Sequence, residues 1–151
     1  MVAPFPGREA EFAADYGAEY YVSVPAIADA NRRRSSFNII NTLIGFKVDF
    51  FVQKPREFDA CVMSRRQARF VPEGATESTA VLSAEDSILT KLEWYRLGGE
   101  VSDRQWRDVI EMLEAQRERL DRLYLTKWAK QLHVSDLLDA AGLHADGDSK
   151  Q

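Results

Sequence analysis

The chain is poor in the residues that build the commonest small-protein sites. Of its 151 residues only Cys61 is a cysteine. A lone thiol excludes an internal disulfide and any zinc site assembled from cysteine pairs. Histidine is nearly as scarce. His133 and His144 have no His, Cys or acid beside them at ligand spacing, so no metal role is expected of them. No glycine-rich phosphate loop of either common kind is present. Apolar runs such as Ala80-Val81-Leu82 fall far short of the roughly 20 residues that span a bilayer. Met1 to Glu9 has no basic segment followed by a long apolar stretch, so it does not read as a secretory signal, and a cytoplasmic location is expected. An excess of positive charge is also missing. The net charge of −4 and pI near 5.3 argue against a dedicated nucleic-acid binder. Arg32-Arg33-Arg34 and Arg65-Arg66 are the candidates for a local basic rim, and such clusters are ordinarily solvated faces.

What remains is an ordinary globular composition, 45% hydrophobic and 29% charged, on a chain of a length that suits one domain with a real core. The first half reads as mixed and the second as helical. A short helix is predicted over 8–15. Glu19 to Ser23 is rich in strand formers, and Ser23 with Pro25 then suits a helix start running to about Arg33. Ser36–Asn41 and Gly45–Val52 read as two strands of a hairpin. Residues 56–66 are predicted helical. Ala68–Val71 and Thr79–Leu82 read as short strands around a Pro72-Glu73-Gly74 turn.

After Leu82 the spacing becomes helical. Ser83-Ala84-Glu85-Asp86 has the form of a helix start, and Ile88, Leu89, Leu92 and Tyr95 fall on one face. Gly98-Gly99 ends that helix, and Ser102-Asp103-Arg104-Gln105 opens the next, whose apolar stripe is Trp106, Val109, Ile110 and Leu113. A third helix carries Leu120, Leu123, Tyr124 and Trp128. A fourth runs from Ser135 to a stop at Gly142, before a polar, frayed tail over 143–151. The expected architecture is α+β: one domain over 1–151, with a small mixed sheet and flanking helices over about 19–82 and a helical part over 83–142.

Asp49 stands out because it lies between Val48 and Phe50 in a strand that is otherwise largely apolar. Aspartate is disfavoured in strands, and a buried carboxylate is costly unless it is paired or binds a cation. Alternation puts Lys47, Asp49 and Phe51 on one face. Two readings follow: an ion pair with Lys47 or another cation, or a carboxylate that helps hold a divalent metal beside a phosphate. Lys91 lies beside an apolar helical stripe, where it either snorkels to water or presents an ammonium to a triphosphate. Arg96, about 140° round the same helix, could flank the same ligand without stacking on that face. Asp103 suits the first turn of its helix. Asp108 could pair with Lys91 across two antiparallel helices and position it, and a purely structural salt bridge would read the same way. Cys61 and the three tryptophans are expected to pack rather than react or stack on bases.

Phe37-Asn38-Ile39-Ile40 followed by Lys47-Val48-Asp49-Phe50 resembles the strand pair of minimal bacterial nucleotidyltransferase-like proteins, relatives of the abortive-infection (AbiEii-type) toxin nucleotidyltransferases. Ser83 to Leu92 resembles the family's lysine-bearing helix. Lys91 to Arg96 has its lysine-x4-basic form, Asp103 to Asp108 its aspartate-x4-aspartate form, and Arg107-Asp108 its Arg-Asp pair. The resemblance covers about residues 19–140. It implies nucleotide transfer from a nucleoside triphosphate to an acceptor hydroxyl, with two Mg²⁺ ions held by three carboxylates. Asp49 would be the third carboxylate, and Lys91 would hold the triphosphate.

The family's first signature, a Gly-Ser or Gly-Gly turn with paired acids some ten residues later, is not reproduced by Gly7-Arg8 and Glu11. The expectation is therefore a truncated or degenerate relative that does not transfer nucleotides alone. Three hypotheses follow: a nucleotidyltransferase completed by a motif missing here, a non-catalytic binding protein for a nucleotide or a toxin–antitoxin partner, or an oligomerising domain whose exposed sheet edge is covered in a homodimer.

Overall fold

The computed structural model describes residues 1–70 and 76–147; the predicted Pro72-Glu73-Gly74 turn lies outside the described residues. The chain divides into two compact units, Met1–Met63 and Ser64–Gln151.

In the first unit, helix α1 (Glu9–Ala14) is followed by strand β1 (Tyr20–Val22), helix α2 (Val24–Arg33), strands β2 (Ser36–Asn41) and β3 (Phe46–Phe51), and helix α3 (Glu57–Ser64), whose last residue begins the second unit. The predicted cap is present at α2: Ser23 Oγ accepts from the Ala26 N–H at 3.3 Å, and Pro25 stands in the first turn. Arg34 then ends the helix in a left-handed conformation, φ 55°.

The predicted hairpin forms. Strand β2 pairs antiparallel with β3 from Ser36↔Phe51 to Asn41↔Phe46, and with β1 from Tyr20↔Asn41 to Val22↔Ile39. The Asn41 side chain accepts from the Leu43 and Ile44 N–H groups at 3.1 and 3.3 Å, and Gly45 takes the positive φ of 68° that closes the turn. Ile27, Ala30, Phe37, Ile39 and Val52 form the buried core of this unit, with Phe5, Phe12 and Phe50 packed against it. Phe37 and Phe50 are directly opposite in register and stack at 5.0 Å. A row of aromatics thus replaces the aliphatic bulk that so small a sheet could not supply.

The second unit begins with strands β4 (Gln67–Arg69) and β5 (Thr79–Val81), an antiparallel pair. Helices α4 (Ala84–Leu97), α5 (Asp103–Gln116), α6 (Arg122–Gln131) and α7 (Ser135–Gly147) follow. Ser83, Ser102 and Asp121 cap α4, α5 and α6 through their side chains. Of the predicted stripes, Ile88, Leu89 and Leu92 on α4 and Val109 and Leu113 on α5 are buried, while Tyr95, Trp106 and Ile110 are half-buried. Helix α5 packs against α4 and α7, and α6 against α4 and α7.

Two expectations are corrected. The described strands form two separate antiparallel sheets, of three and two strands, rather than one mixed sheet; the parallel element is a single bridge, Val2↔Val52. The β2–β3 connection is too short to cross over and return a strand in parallel, and β1 pairs antiparallel with β2 although α2 lies between them. The last helix also does not stop at Gly142 but continues to Gly147. A glycine inside a helix costs only about 1 kcal/mol relative to alanine. Ala141 and Ala145, one turn apart and both buried, carry the packed face past it.

Candidate functional site

Asp49 belongs to the first unit. Its side chain is 43% exposed, and its Oδ1 lies 3.2 Å from Lys47 Nζ on the same face of β3. The expected burial penalty is absent because the turn-proximal half of β3 is exposed: Phe46, Lys47, Val48 and Asp49 all face solvent to a large degree, and burial begins at Phe50. The pairing with Lys47 is the one anticipated from strand alternation.

The remaining candidates lie in the second unit. Lys91, on α4, places Nζ 2.6 Å from Asp108 Oδ2 on α5, with the two side chains 35% and 38% exposed. The pair forms because both residues flank buried stripes: Lys91 sits between Leu89 and Leu92, and Asp108 precedes Val109. Packing α4 against α5 brings the polar margins of the two helices together. The Lys91 ammonium, acting chiefly through its hydrogen bond, holds the Asp108 carboxyl below its ordinary range. The charges of Lys91, Arg104 and Arg107 reinforce this against partial desolvation. Asp103 sits in the first turn of α5, as its dipole role requires.

Arg96 does not share that cluster. Its Nε lies 2.8 Å from Glu100 Oε1, and its Nη2 donates to both Asp136 oxygens at 2.7 and 2.6 Å. It ties the end of α4 to the start of α7. This contact holds the Asp136 carboxyl below its ordinary range.

A further polar cluster was legible in sequence only as a helix cap. Asp86 is fully buried. Its Oδ1 accepts from Tyr124 Oη at 2.6 Å; its Oδ2 accepts from Ser83 Oγ at 3.0 Å and from Arg65 Nε at 3.3 Å. The Arg65 guanidinium also lies 3.9 Å from the centre of the Tyr124 ring. Burial, the largest single influence, would lower the Arg65 pKa, but the charge and hydrogen bond of Asp86 together with Tyr124 and Glu85 outweigh it and the net shift is upward. Glu85 Oε1 accepts the Asp121 N–H at 3.0 Å, joining the starts of α4 and α6. Burial by itself would raise the Glu85 pKa; that N–H, with the Ser83 hydroxyl and Arg65, reverses the sign. The signal available in sequence was an acid at the third position of a capped helix, with a tyrosine one turn into a later helix. Nothing in that spacing showed that the two meet.

A cavity of about 430 Å³ opens among α5, α6 and α7, with Leu113, Leu120, Leu125 and Leu138 in its lining. Lys91, Arg96 and Asp108 do not line it. The charged margin of α4 and α5 and this cavity, whose lining also includes Arg117, Arg122 and Asp139, are separate features. No three of His, Cys, Asp and Glu among the described residues come together in a group that could hold a metal ion. No described helix is long and apolar enough to cross a membrane. Comparison with protein-family models, curated proteins and solved structures finds no match to the chain.

Proposed function

We propose that the chain is a nucleotidyltransferase-like protein that binds the phosphates of a nucleoside triphosphate at the Lys91 ammonium. The observation that carries the reading is the Lys91–Asp108 pair. The resemblance points to a lysine on this helix and an Arg-Asp pair on the next, and the lysine is held at 2.6 Å by that aspartate with both side chains partly exposed. An ammonium has three N–H donors and one carboxylate leaves some of them available. Arg104 and Arg107 act on the same carboxylate and partly offset the repulsion it would exert on an anionic ligand. Asp108 fixes the direction of a side chain that would otherwise be free to rotate, which reduces the ordering cost when phosphate arrives.

Binding, rather than transfer, is the activity proposed for this chain. Transfer by the family's chemistry needs several carboxylates converging on two ions. Asp49, the carboxylate expected to serve there, is one acid with a lysine at its oxygen, and the described residues supply no group that would complete a metal centre. Binding requires only the Mg²⁺ ion that accompanies the triphosphate in solution.

Calorimetric titration of the purified chain with ATP and Mg²⁺ tests the reading. Saturable binding is expected, weakened about tenfold or more in Lys91→Ala, the loss of one charge-assisted contact. Absence of binding at millimolar ATP, or equal affinity of Lys91→Ala, would overturn it.

A further inference from the structure

Strand β3 is the edge of its sheet, and its outer side is built to receive a copy of itself. The Phe51 carbonyl accepts from Val2 N–H at 2.9 Å, and Val52 N–H donates inward to Ser35 O at 2.8 Å. Residues of a strand alternate in the side to which their N–H and C=O point. The backbone groups of Lys47 and Asp49 therefore point outward with those of Phe51, away from β2. The bond from Val2 covers only the Phe51 end, and no described backbone group pairs with the outward groups of Lys47 and Asp49. Apolar side chains crowd the same end of the hairpin: Leu43, Ile44, Phe46 and Val48 are 79%, 76%, 61% and 41% exposed. An exposed apolar edge of this kind is a template for strand addition.

The sequence along that edge, Phe46-Lys47-Val48-Asp49-Phe50, is complementary in charge to its own reverse. We propose that two copies of the chain pair antiparallel through β3 about a two-fold axis at Val48, joining their sheets into one of six strands. In this register Lys47 stands opposite the partner's Asp49, Val48 opposite the partner's Val48, and Phe46 opposite the partner's Phe50. The outward N–H and C=O groups of Lys47 and Asp49 are the ones an antiparallel ladder exchanges, and Val48 occupies the non-hydrogen-bonded position on the axis. The neighbouring registers that use the same backbone groups set Lys47 against Lys47 or Asp49 against Asp49. Like charges directly opposite are destabilising. The second of these also requires Phe51, where Val2 is bonded. Charge thus selects one register, and Val2 limits its length. A two-fold interface of this kind closes on itself and stops at the dimer. The ladder is short, so the association is concentration-dependent.

Sedimentation velocity over a concentration series, with charge exchange, tests the proposal. The wild-type chain is expected to shift with concentration from 17.2 kDa to twice that mass. Lys47→Glu, which would set acid against acid, is expected to remain monomeric. The double variant Lys47→Glu/Asp49→Lys, which restores opposite charges across the axis, is expected to recover the dimer. Circular dichroism checks that each variant is folded. Val48→Cys adds an independent reading. Non-hydrogen-bonded partners have Cα atoms roughly 4.5 Å apart, within disulfide reach, so mild oxidation is expected to cross-link this variant and leave the wild type, with only Cys61, uncross-linked. A wild-type chain that is monomeric throughout would overturn the proposal. So would a dimer that survives Lys47→Glu, or one that Val48→Cys does not trap.

Discussion

Replacing Asp86 by asparagine probes the most buried charge of the second unit. The carboxylate accepts three side-chain hydrogen bonds, from Tyr124 Oη, Ser83 Oγ and Arg65 Nε. An asparagine keeps one acceptor oxygen and turns a donor toward the remaining donors. Removing one partner of a buried ion pair costs about 3–5 kcal/mol. The Arg65 side chain is 35% exposed and can recover some hydration, so a loss near the lower end, about 3 kcal/mol, is expected for Asp86→Asn. Tyr124→Phe removes a single bond to the charged group and is expected to cost about 1.5–3 kcal/mol. Because the two share an atom pair, the double variant should lose less than the sum. All three tryptophans, Trp94, Trp106 and Trp128, lie in the second unit. Urea unfolding followed by tryptophan fluorescence therefore reports on the unit that contains the change. A loss below about 1 kcal/mol for Asp86→Asn, the size of an ordinary exposed pair, would refute the reasoning, as would strict additivity with Tyr124→Phe.

Two further outcomes follow from the charges. Glu85 titrates below its ordinary value of 4.5 in the folded chain, so between the two values the unfolded state binds a proton that the folded state does not. Stability is then fully present above the ordinary glutamate value and is lost as pH falls through the lower, folded one; urea titrations from neutral pH into acid should show this decline, with a shallower slope in Glu85→Gln, and an unchanged slope would contradict the assignment. The Asp136 side chain is 70% exposed and that of Arg96 37%, so a double-mutant cycle should give a coupling of about 1 kcal/mol or less, declining in high salt; a coupling that persists in molar salt would show a desolvated pair instead.

Much of the fold was legible because it rests on local rules. Ser23, Ser83 and Ser102 cap the helices where the spacing placed them. The stripe of Ile88, Leu89 and Leu92 is buried as its period requires, and the hairpin closes over Asn41 and Gly45. Sheet membership was less legible, since pairing partners depend on how connections run and not on strand composition. Gly142 shows the same limit: a local stop signal gave way to the packing of Ala141 and Ala145 on either side of it.

The candidate site divides in the same manner. The Lys91–Asp108 pair could be anticipated because both residues sit at the margins of apolar stripes on consecutive helices. The Arg65–Asp86–Tyr124 cluster could not, because it joins residues 21 and 38 positions apart in the chain through side-chain reach alone. Asp49 drew attention as an acid in an apolar strand, yet burial along β3 is graded. Its exposed half makes the acid inexpensive, and Lys47 pairs with it on the same face.

The most direct test of the proposed function is the affinity of the purified chain for ATP with Mg²⁺, measured by calorimetry for the wild type and for Lys91→Ala. The wild type is predicted to bind saturably, and Lys91→Ala to bind about tenfold or more weakly while losing no more than about 1 kcal/mol of stability with the Asp108 pair. Equal affinities, or no binding by either protein at millimolar nucleotide, would contradict the assignment of Lys91 as the phosphate-holding residue.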